Sequence, residues 1–123
     1  MNFSENQSIY LQITEFVQEQ ILLNNWREEQ KIPSVRDLAA ELQVNPNTVM
    51  RAYDFLQQQD VITNRRGVGN FVSGGAVQKI LAVRKQNFLE SEIPALFKNM
   101  VLLGIGFNEL ENIYKKFVSI TEM

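Results

Sequence analysis

The chain has 123 residues, 45% of them hydrophobic, and a formal net charge of −2, which fits one globular domain or a small domain with a helical extension. It contains no cysteine and no histidine, which excludes disulfides and removes the commonest metal ligands and the commonest general acid–base. No apolar run approaches the ~18 residues of a membrane span and the N-terminus lacks signal-peptide features, so we expect a cytoplasmic protein without a membrane partner.

The first predicted helix runs from about Ser8 to Asn24. Its apolar residues recur at helical spacing on one side: Ile9, Ile13, Phe16, Val17 and Ile21. Its polar residues are expected on the opposite, solvent-facing side: Gln12, Glu15, Gln18 and Glu19. The polar segment that follows contains Trp26, which we expect to fill a small core from a loop.

Two short helices joined by about three residues come next. The first begins at Ser34, which forms a capping-box pattern with Asp37, and it ends near Leu42. The second begins after the capping residue Asn45, carries proline at its first position and ends near Gln59. The residues expected to be buried are Val35, Leu38, Ala39, Leu42, Val49, Ala52, Tyr53 and Leu56. Such a pair is typical of a helix-turn-helix, whose second helix reads DNA.

A β-hairpin is predicted directly after the second helix of this pair. Its strands are residues 61–63 and 71–73, and its loop, residues 64–70, is basic and contains two glycines. A hairpin in this position is a wing. The sequence therefore predicts a winged helix-turn-helix DNA-binding domain over residues 1–75.

Residues 76–123 are predicted to be a helical dimerisation region. The expected helices cover residues 76–90, 91–103 and 108–118, with Pro94 in the first turn of the second. Short helices of this kind cannot bury so much apolar surface alone. The residues expected to contact a second copy are Leu81, Phe88, Leu96, Phe97, Met100, Leu103, Leu110, Ile113 and Phe117. The fold class is thus mostly α, with one small hairpin.

Several ordered motifs between residues 8 and 73 resemble the GntR-type winged-helix transcription regulators. They are residues 10–13, 31–39, 44–53 and 67–72, and the Asn-Pro-Asn-Thr-Val turn, the Ala52-Tyr53 pair and the short C-terminal region are similar to the YtrA-like branch. The resemblance implies a homodimeric bacterial repressor. The family usually has a glycine where this chain has Asp60, and often basic residues where it has Pro46 and Met50; Arg51 is the nearby cation here.

The candidate DNA contacts lie in three places. Arg36, at the start of the second helix, has a fork that suits a guanine edge or a phosphate, although it could instead pair with Asp37 or Glu41. Ser34 at the start of the second helix and Asn45 at the start of the third are helix caps that could also contact DNA, because a helix N-terminus with free N–H groups is a phosphate site. The remaining candidates are Asn47, Thr48, Arg51, Arg65, Arg66, Gly67 and Gly69.

The wing candidates carry a specific expectation. Arg65 and Arg66 could enter a narrow minor groove, while Gly67 and Gly69 permit a tight turn and close backbone approach. The alternative is an ordinary solvated hairpin tip.

Charge leaves other functions open. Residues 1–75 carry six Lys and Arg against nine Asp and Glu, a net of −3, so the affinity for DNA should depend on a few placed groups. A winged helix used for protein–protein contact is the alternative function. An enzyme is disfavoured, because the acids do not cluster. No cofactor and no metal are expected, and a small-molecule effector, if one exists, is not identified by any residue pattern.

Overall fold

The computed structural model describes residue 3 and residues 7–121, and it divides into two compact units, residues 1–83 and 84–123. The first unit extends beyond Gly75, after which the sequence analysis divided the chain. The reason is that Ala76 and Ile80, at the start of the following helix, are buried in the core of the first unit. The functions assigned to the two parts stay predictions.

The first unit has the predicted winged helix-turn-helix order, and the mostly α fold class with one hairpin is confirmed. Its elements are α1 (Ile9–Leu22), α2 (Val35–Leu42), α3 (Pro46–Gln58), β1 (Ile62–Arg65), β2 (Gly69–Val72) and the first part of α4 (Ala76–Asn87). Helix α3 packs against both α1 and α2. The predicted apolar stripe of α3 is buried: Val49, Ala52, Tyr53 and Leu56.

Helix α1 differs from its prediction on both sides. Ile9, which was expected in the buried stripe, is 46% exposed at the first position of the helix. Ile13, Val17 and Ile21 are buried as expected, but Gln12 and Gln18, which were expected to face solvent, are 7% and 8% exposed. The Gln12 amide donates to the Gln7 carbonyl at 2.8 Å, so its burial does not leave the polar group without a hydrogen bond. The expectation of a solvent-facing position for these two glutamines was wrong, because a long amide side chain can be covered once it is hydrogen-bonded.

The loop between α1 and α2 contributes to the core, as predicted for Trp26. The Trp26 ring is partly buried and meets Phe16 edge-on, with centroids 6.2 Å apart. The end of this loop also extends the hairpin. The N–H of Glu29 donates to the Val72 carbonyl at 2.8 Å, and the N–H of Ile32 donates to the Asn70 carbonyl at 2.9 Å. Residues 29–32 therefore lie along β2 and form one isolated bridge with it, between Lys31 and Phe71, while Glu29 lies in a turn with a φ of 69°.

The hairpin is tighter than predicted. Its register pairs Ile62 with Val72 and Arg65 with Gly69, so the connection is residues 66–68 instead of residues 64–70. The Asn64 amide donates to Asn70 Oδ1 at 3.1 Å across the strands, which supports pairing where the sequence indicated a loop.

The second unit is helical. Helix α4 passes through a π-helical turn, residues 88–92, into α5 (Ile93–Leu103), and α6 (Phe107–Thr121) follows. The predicted separation into two helices at residues 90 and 91 is therefore wrong. Pro94 lacks an N–H and its ring crowds the Glu90 carbonyl, which accounts for a local widening of the helix instead of a break. Within residues 7–121, no helix is long and apolar enough to cross a membrane.

Candidate DNA interface

The turn between α2 and α3 is fixed by hydrogen bonds that involve two of the predicted residues. Ser34 Oγ accepts from the N–H of Asp37 at 3.1 Å and begins α2. Asn45 Oδ1 accepts from the N–H of Asn47 at 2.8 Å and begins α3. Between them Gln43 adopts a left-handed conformation, with φ of 57°. Both residues act as caps, as predicted, but of the capping box expected at Ser34 only the bond to Ser34 Oγ forms among the described residues, and the reciprocal bond to the Asp37 carboxylate does not. The caps fix where each helix presents its first turn.

The cap at Asn45 reduces the number of free N–H groups with which the start of α3 could bind an anion. The first N–H of α3 is absent because residue 46 is proline, the Asn47 N–H is bonded to Asn45 Oδ1, and the Thr48 N–H is bonded to the Asn45 carbonyl at 2.9 Å. The start of the helix therefore presents side chains and not the free N–H groups that a phosphate site requires.

The outward face of α3 combines predicted and unpredicted residues. Asn47 and Arg51 are exposed one turn apart, on the side opposite the buried stripe, and Thr48 beside them is half-buried. Asp54 and Met50 are also exposed on this helix and were not predicted as site residues. The 3.6-residue period that located the buried stripe already placed Asp54 outward, so this residue could have been found from the sequence.

Arg51 is held by an aromatic ring. Its guanidinium carbon lies 3.8 Å from the centroid of Tyr10, a residue of α1. Stacking on a ring face leaves the guanidinium edge, which carries the N–H donors, available to other groups. Tyr10 thus orients the principal cation of α3, a role that the sequence spacing alone did not reveal.

Arg36 lies in the first turn of α2 and is exposed. Within residues 7–121 it forms no ion pair with Asp37 or Glu41, the two partners that the alternative interpretation would require. Its donors are therefore available to an external group.

The wing separates the two arginines that were predicted to act together. Arg66 is exposed in the connection, where Gly67 has a φ of 77°. Arg65 is the last residue of β1, and its guanidinium lies across the hairpin, with its carbon 3.9 Å from the Phe71 ring centroid. It forms an ion pair with Glu29, with 3.3 Å between Nη2 and Oε2. Arg65 is therefore folded back against the hairpin.

A third cation at the wing was missed by the sequence analysis. Lys31 forms an isolated bridge with Phe71, and its side chain passes over Gly69. A Cβ on Gly69 would be 2.8 Å from Lys31 Cε, so the glycine makes room for the lysine. The atoms that crowd Gly69 belong to a side chain of this protein, and the close approach of its backbone to DNA stays a prediction.

The wing is tied to α3 by amide side chains. Asn70 Oδ1 accepts from Gln57 Nε2 of α3 at 3.3 Å, as well as from Asn64. These bonds join the hairpin to the helix that ends just before it. The first unit therefore presents α2, α3 and the wing as one scaffold that carries exposed cations at several points.

Comparison with known proteins now identifies the family. The model of the bacterial regulatory proteins of the gntR family matches residues 9–72, which includes α1, the two helices after it and the hairpin. The chain belongs to the GntR family of bacterial regulatory proteins. This GntR protein is accordingly a DNA-binding transcription regulator and not an enzyme.

Relatives of similar length match beyond the winged unit. The repressor YtrA of Bacillus subtilis is 32% identical over 108 residues, covering 88% of this chain and 82% of its own. A GntR-family regulator structure from Bacteroides thetaiotaomicron is 44% identical with a TM-score of 0.81, covering 93% and 99%. The AraR DNA-binding domain, solved in complex with its operator, is 25% identical with a TM-score of 0.54, covering 59% and 88%.

Proposed function

We propose that this GntR regulator is a repressor that binds a palindromic operator as a homodimer, with α3 in the major groove and the wing in the minor groove. The observation that carries the proposal is the outward face of α3, where Asn47, Arg51 and Asp54 are exposed and Arg51 is stacked on Tyr10. Helix α3 has 13 residues. It is narrow enough to enter a major groove that is about 12 Å wide.

Each exposed group on α3 has a partner in the groove or on its edge. The Arg51 fork suits a guanine edge or a phosphate, and Asn47 suits an adenine edge or a phosphate. The Asp54 carboxylate can accept from the amino group of cytosine. Thr48, half-buried beside them, can donate to a phosphate.

Helix α2 and the wing add contacts on either side of α3. Arg36 reaches a phosphate or a guanine from the first turn of α2, and Ser34 completes the cap beside it. Arg66 enters the minor groove from the hairpin connection, where the conformational freedom of Gly67 permits the tight turn. Arg65, Lys31 and the backbone at Gly69 lie along the same hairpin. Asn45 contributes chiefly by fixing the start of α3.

The charge balance supports an interface made of placed groups. With a net charge of −3 over residues 1–75, the general attraction to DNA is weak, so a small number of arginines carries the affinity. Binding should weaken as salt rises, with a slope set by the number of phosphate contacts.

Dimerisation is supported by the second unit, where large apolar side chains are exposed along its helices. Of the nine predicted contact residues, those that are exposed are Leu81, Phe88, Leu96, Phe97, Leu103, Ile113 and Phe117. Met100 is 8% exposed and Leu110 is half-buried, so these two pack chiefly within their own chain. A second copy would cover the exposed set, and a two-fold dimer would present two α3 helices to two half-sites.

The repressor role rests on the relative YtrA, which is named a transcriptional repressor. A repressor acts by occupying an operator, so it works in the cytoplasm, where a bacterial chromosome lies. A small-molecule effector would be a further partner.

The test is selection of bound duplexes from a random pool, followed by titration of the selected duplex. Arg36→Ala and Arg51→Ala should each weaken binding by about 1–3 kcal/mol if they contact bases, or reduce the salt slope by about one if they contact phosphate. Lys98→Ala, on α5, removes one charge outside the interface and should leave the affinity unchanged. A selected site without two-fold symmetry would contradict the homodimeric mode. Absence of duplex binding at low salt would favour a protein–protein module.

A further inference from the structure

The ion pair between Glu29 and Arg65 joins the loop after α1 to the hairpin, 36 residues further along the chain. It lies on the face of the hairpin that carries Phe71, the ring on which the Arg65 guanidinium stacks. The pair is accessible to solvent, since the side chains of Arg65 and Glu29 are 50% and 66% exposed. An external anion can therefore reach the guanidinium without any change of fold.

The Glu29 carboxylate is held in a specific place. The Glu29 N–H donates to the Val72 carbonyl, which fixes the residue beside β2. One carboxylate oxygen, Oε2, faces Arg65, and the other, Oε1, lies against Gly74, where a Cβ would be only 2.8 Å away. The missing side chain of Gly74 thus leaves the space that the carboxylate occupies.

The direction of the Arg65 side chain is opposite to the one that minor-groove entry needs. Arg65 starts at the tip end of β1, opposite Gly69, whereas Glu29 lies at the base of the hairpin, beside Val72. Reaching Glu29 draws the guanidinium from the tip towards the base. Lys31 reaches the other way, since it starts opposite Phe71 and passes over Gly69 towards the tip.

We infer that Glu29 is an affinity-determining residue of the DNA interface, which competes with a DNA phosphate for Arg65. This inference rests on the proposed function. A phosphate and a carboxylate use the same guanidinium donors, so Arg65 cannot satisfy both fully. The DNA complex needs Arg65 released from Glu29. The apparent affinity for DNA is therefore reduced, because only the fraction of molecules with a released Arg65 can bind in this way.

The alternative role for Glu29 is positioning, in which the carboxylate would hold Arg65 ready for DNA. The geometry favours competition for two reasons. The pair consists of one 3.3 Å contact and not a bidentate fork, so it restrains orientation little. A carboxylate beside the bound phosphate would also repel it, so its presence in the complex opposes binding.

The experiment measures the affinity of four variants for the duplex selected by the wild-type protein. Glu29→Gln should tighten binding about two- to fivefold, the range expected from an exposed ion pair. In an Arg65→Gln background the same substitution should change affinity less than 1.5-fold. Glu19→Gln, which removes an exposed carboxylate on α1, is the charge-matched control and should have no such effect.

A second test leaves the net charge unchanged. Gly74→Ala places a methyl group against the Glu29 carboxylate and should displace it from Arg65. Gly74 does not have the positive φ found at Gly67 and Gly75, so its backbone accepts alanine. This variant should also tighten DNA binding. In the free protein, both Glu29→Gln and Gly74→Ala should shift the side-chain 15N–1H resonance of Arg65.

The outcomes separate the two proposals. Weaker binding by Glu29→Gln would overturn competition in favour of positioning. Equal tightening with and without Arg65 would overturn it in favour of general charge repulsion. An unmoved Arg65 resonance would show that the pair does not form in solution, which also overturns it. If the wild-type protein binds no duplex in the selection, the proposed function fails, and the resonance test still reports on the ion pair.

Discussion

The two units of this chain differ in how far their apolar side chains are buried. In the winged unit the apolar stripe of α3 is wholly covered, with Val49 and Leu56 both 0% exposed, and of the large apolar side chains of this helix only Met50, on the outward face, is exposed. In the second unit Val101 is 80% exposed and Leu103 is 72% exposed, although they lie on a helix of similar length. Composition does not separate the two, since both are rich in aliphatic and aromatic residues.

The difference indicates what kind of partner each unit meets. The winged unit buries most of its apolar residues, although Leu23, Met50 and Val68 are exposed, and it leaves arginines and amides outside. Its exposed groups therefore suit a polar, charged partner such as DNA. The second unit leaves apolar area outside, and water is a poor solvent for it, so its exposed groups suit another apolar protein surface. Three predictions test where the boundary between the two units lies and how well the winged unit is packed.

The largest effect on stability is expected within α4, at the point where buried apolar side chains are followed by exposed ones. Ile80 is 1% exposed in the core of the winged unit, whereas the next residue, Leu81, is 46% exposed. Ile80→Ala should lower the free energy of unfolding by about 2–5 kcal/mol, because it removes buried methyl groups and leaves a cavity. Denaturant unfolding, followed at several protein concentrations, measures the change.

Leu81→Ala is the matched control on the same helix. We expect it to leave the unfolding free energy of the winged unit nearly unchanged, and to act on self-association measured by sedimentation. Equal losses of stability for the two variants would contradict the division, since both residues would then belong to one packed core.

A smaller effect is expected inside the winged unit, where a polar group is buried and satisfied. The Tyr53 hydroxyl donates to the Pro33 carbonyl at 2.7 Å and ties α3 to the start of α2. Burial, with a contribution from the Glu41 charge, raises the pKa of Tyr53 well above its ordinary value of about 10. Tyr53→Phe should cost about 1 kcal/mol at pH 8, because it removes this hydrogen bond.

The difference in unfolding free energy between the wild-type protein and Tyr53→Phe should change with pH in one direction. Folding raises the pKa of Tyr53, so above about pH 10 the hydroxyl ionises first in the unfolded chain. The contribution of the hydroxyl to the free energy of unfolding is therefore complete below about pH 10 and is lost as the pH rises further. The advantage of the wild-type protein over Tyr53→Phe should therefore shrink by about 1.4 kcal/mol per pH unit above pH 10. Urea titrations of both proteins at pH 8, 10 and 11 test this. A difference that stays constant with pH would mean that the hydroxyl is not buried.

Local sequence patterns were sufficient for most of the fold. The caps at Ser34 and Asn45, the buried stripe of α3 and the hairpin after it each depend on residues within about four positions of one another, so their chemistry can be read along the chain. The extent of the hairpin was underestimated, because Asn64 and Asn70 are typical of loops until they bond to each other across the strands.

The candidate site was predicted less completely, because its decisive contacts join distant segments. Glu29 meets Arg65 and Lys31 passes over Gly69 only after residues 29–32 lie along β2, and no local pattern indicates that pairing. Arg51 was correctly expected to be exposed, but its Tyr10 partner comes from another helix. Residue types thus located the arginines, while Lys31 and the directions of the cationic side chains required the tertiary structure.

The smallest predicted effect concerns backbone strain at the junction between α3 and the wing. Asp60, at a position where the family usually has glycine, has a φ of 58°, which favours glycine because a Cβ crowds the backbone there. Its N–H still donates to the Gln57 carbonyl at 3.0 Å, so the turn forms despite the strain. Asp60→Gly should therefore raise the free energy of unfolding by about 0.5 kcal/mol, after the greater freedom of glycine in the unfolded chain is subtracted, and with it the midpoint of urea unfolding. Asp54→Gly removes the same charge from the interior of α3, where glycine is unfavourable, and should lower the midpoint instead. If both variants moved the midpoint in the same direction, the loss of a negative charge, and not backbone strain in the winged unit, would be the cause.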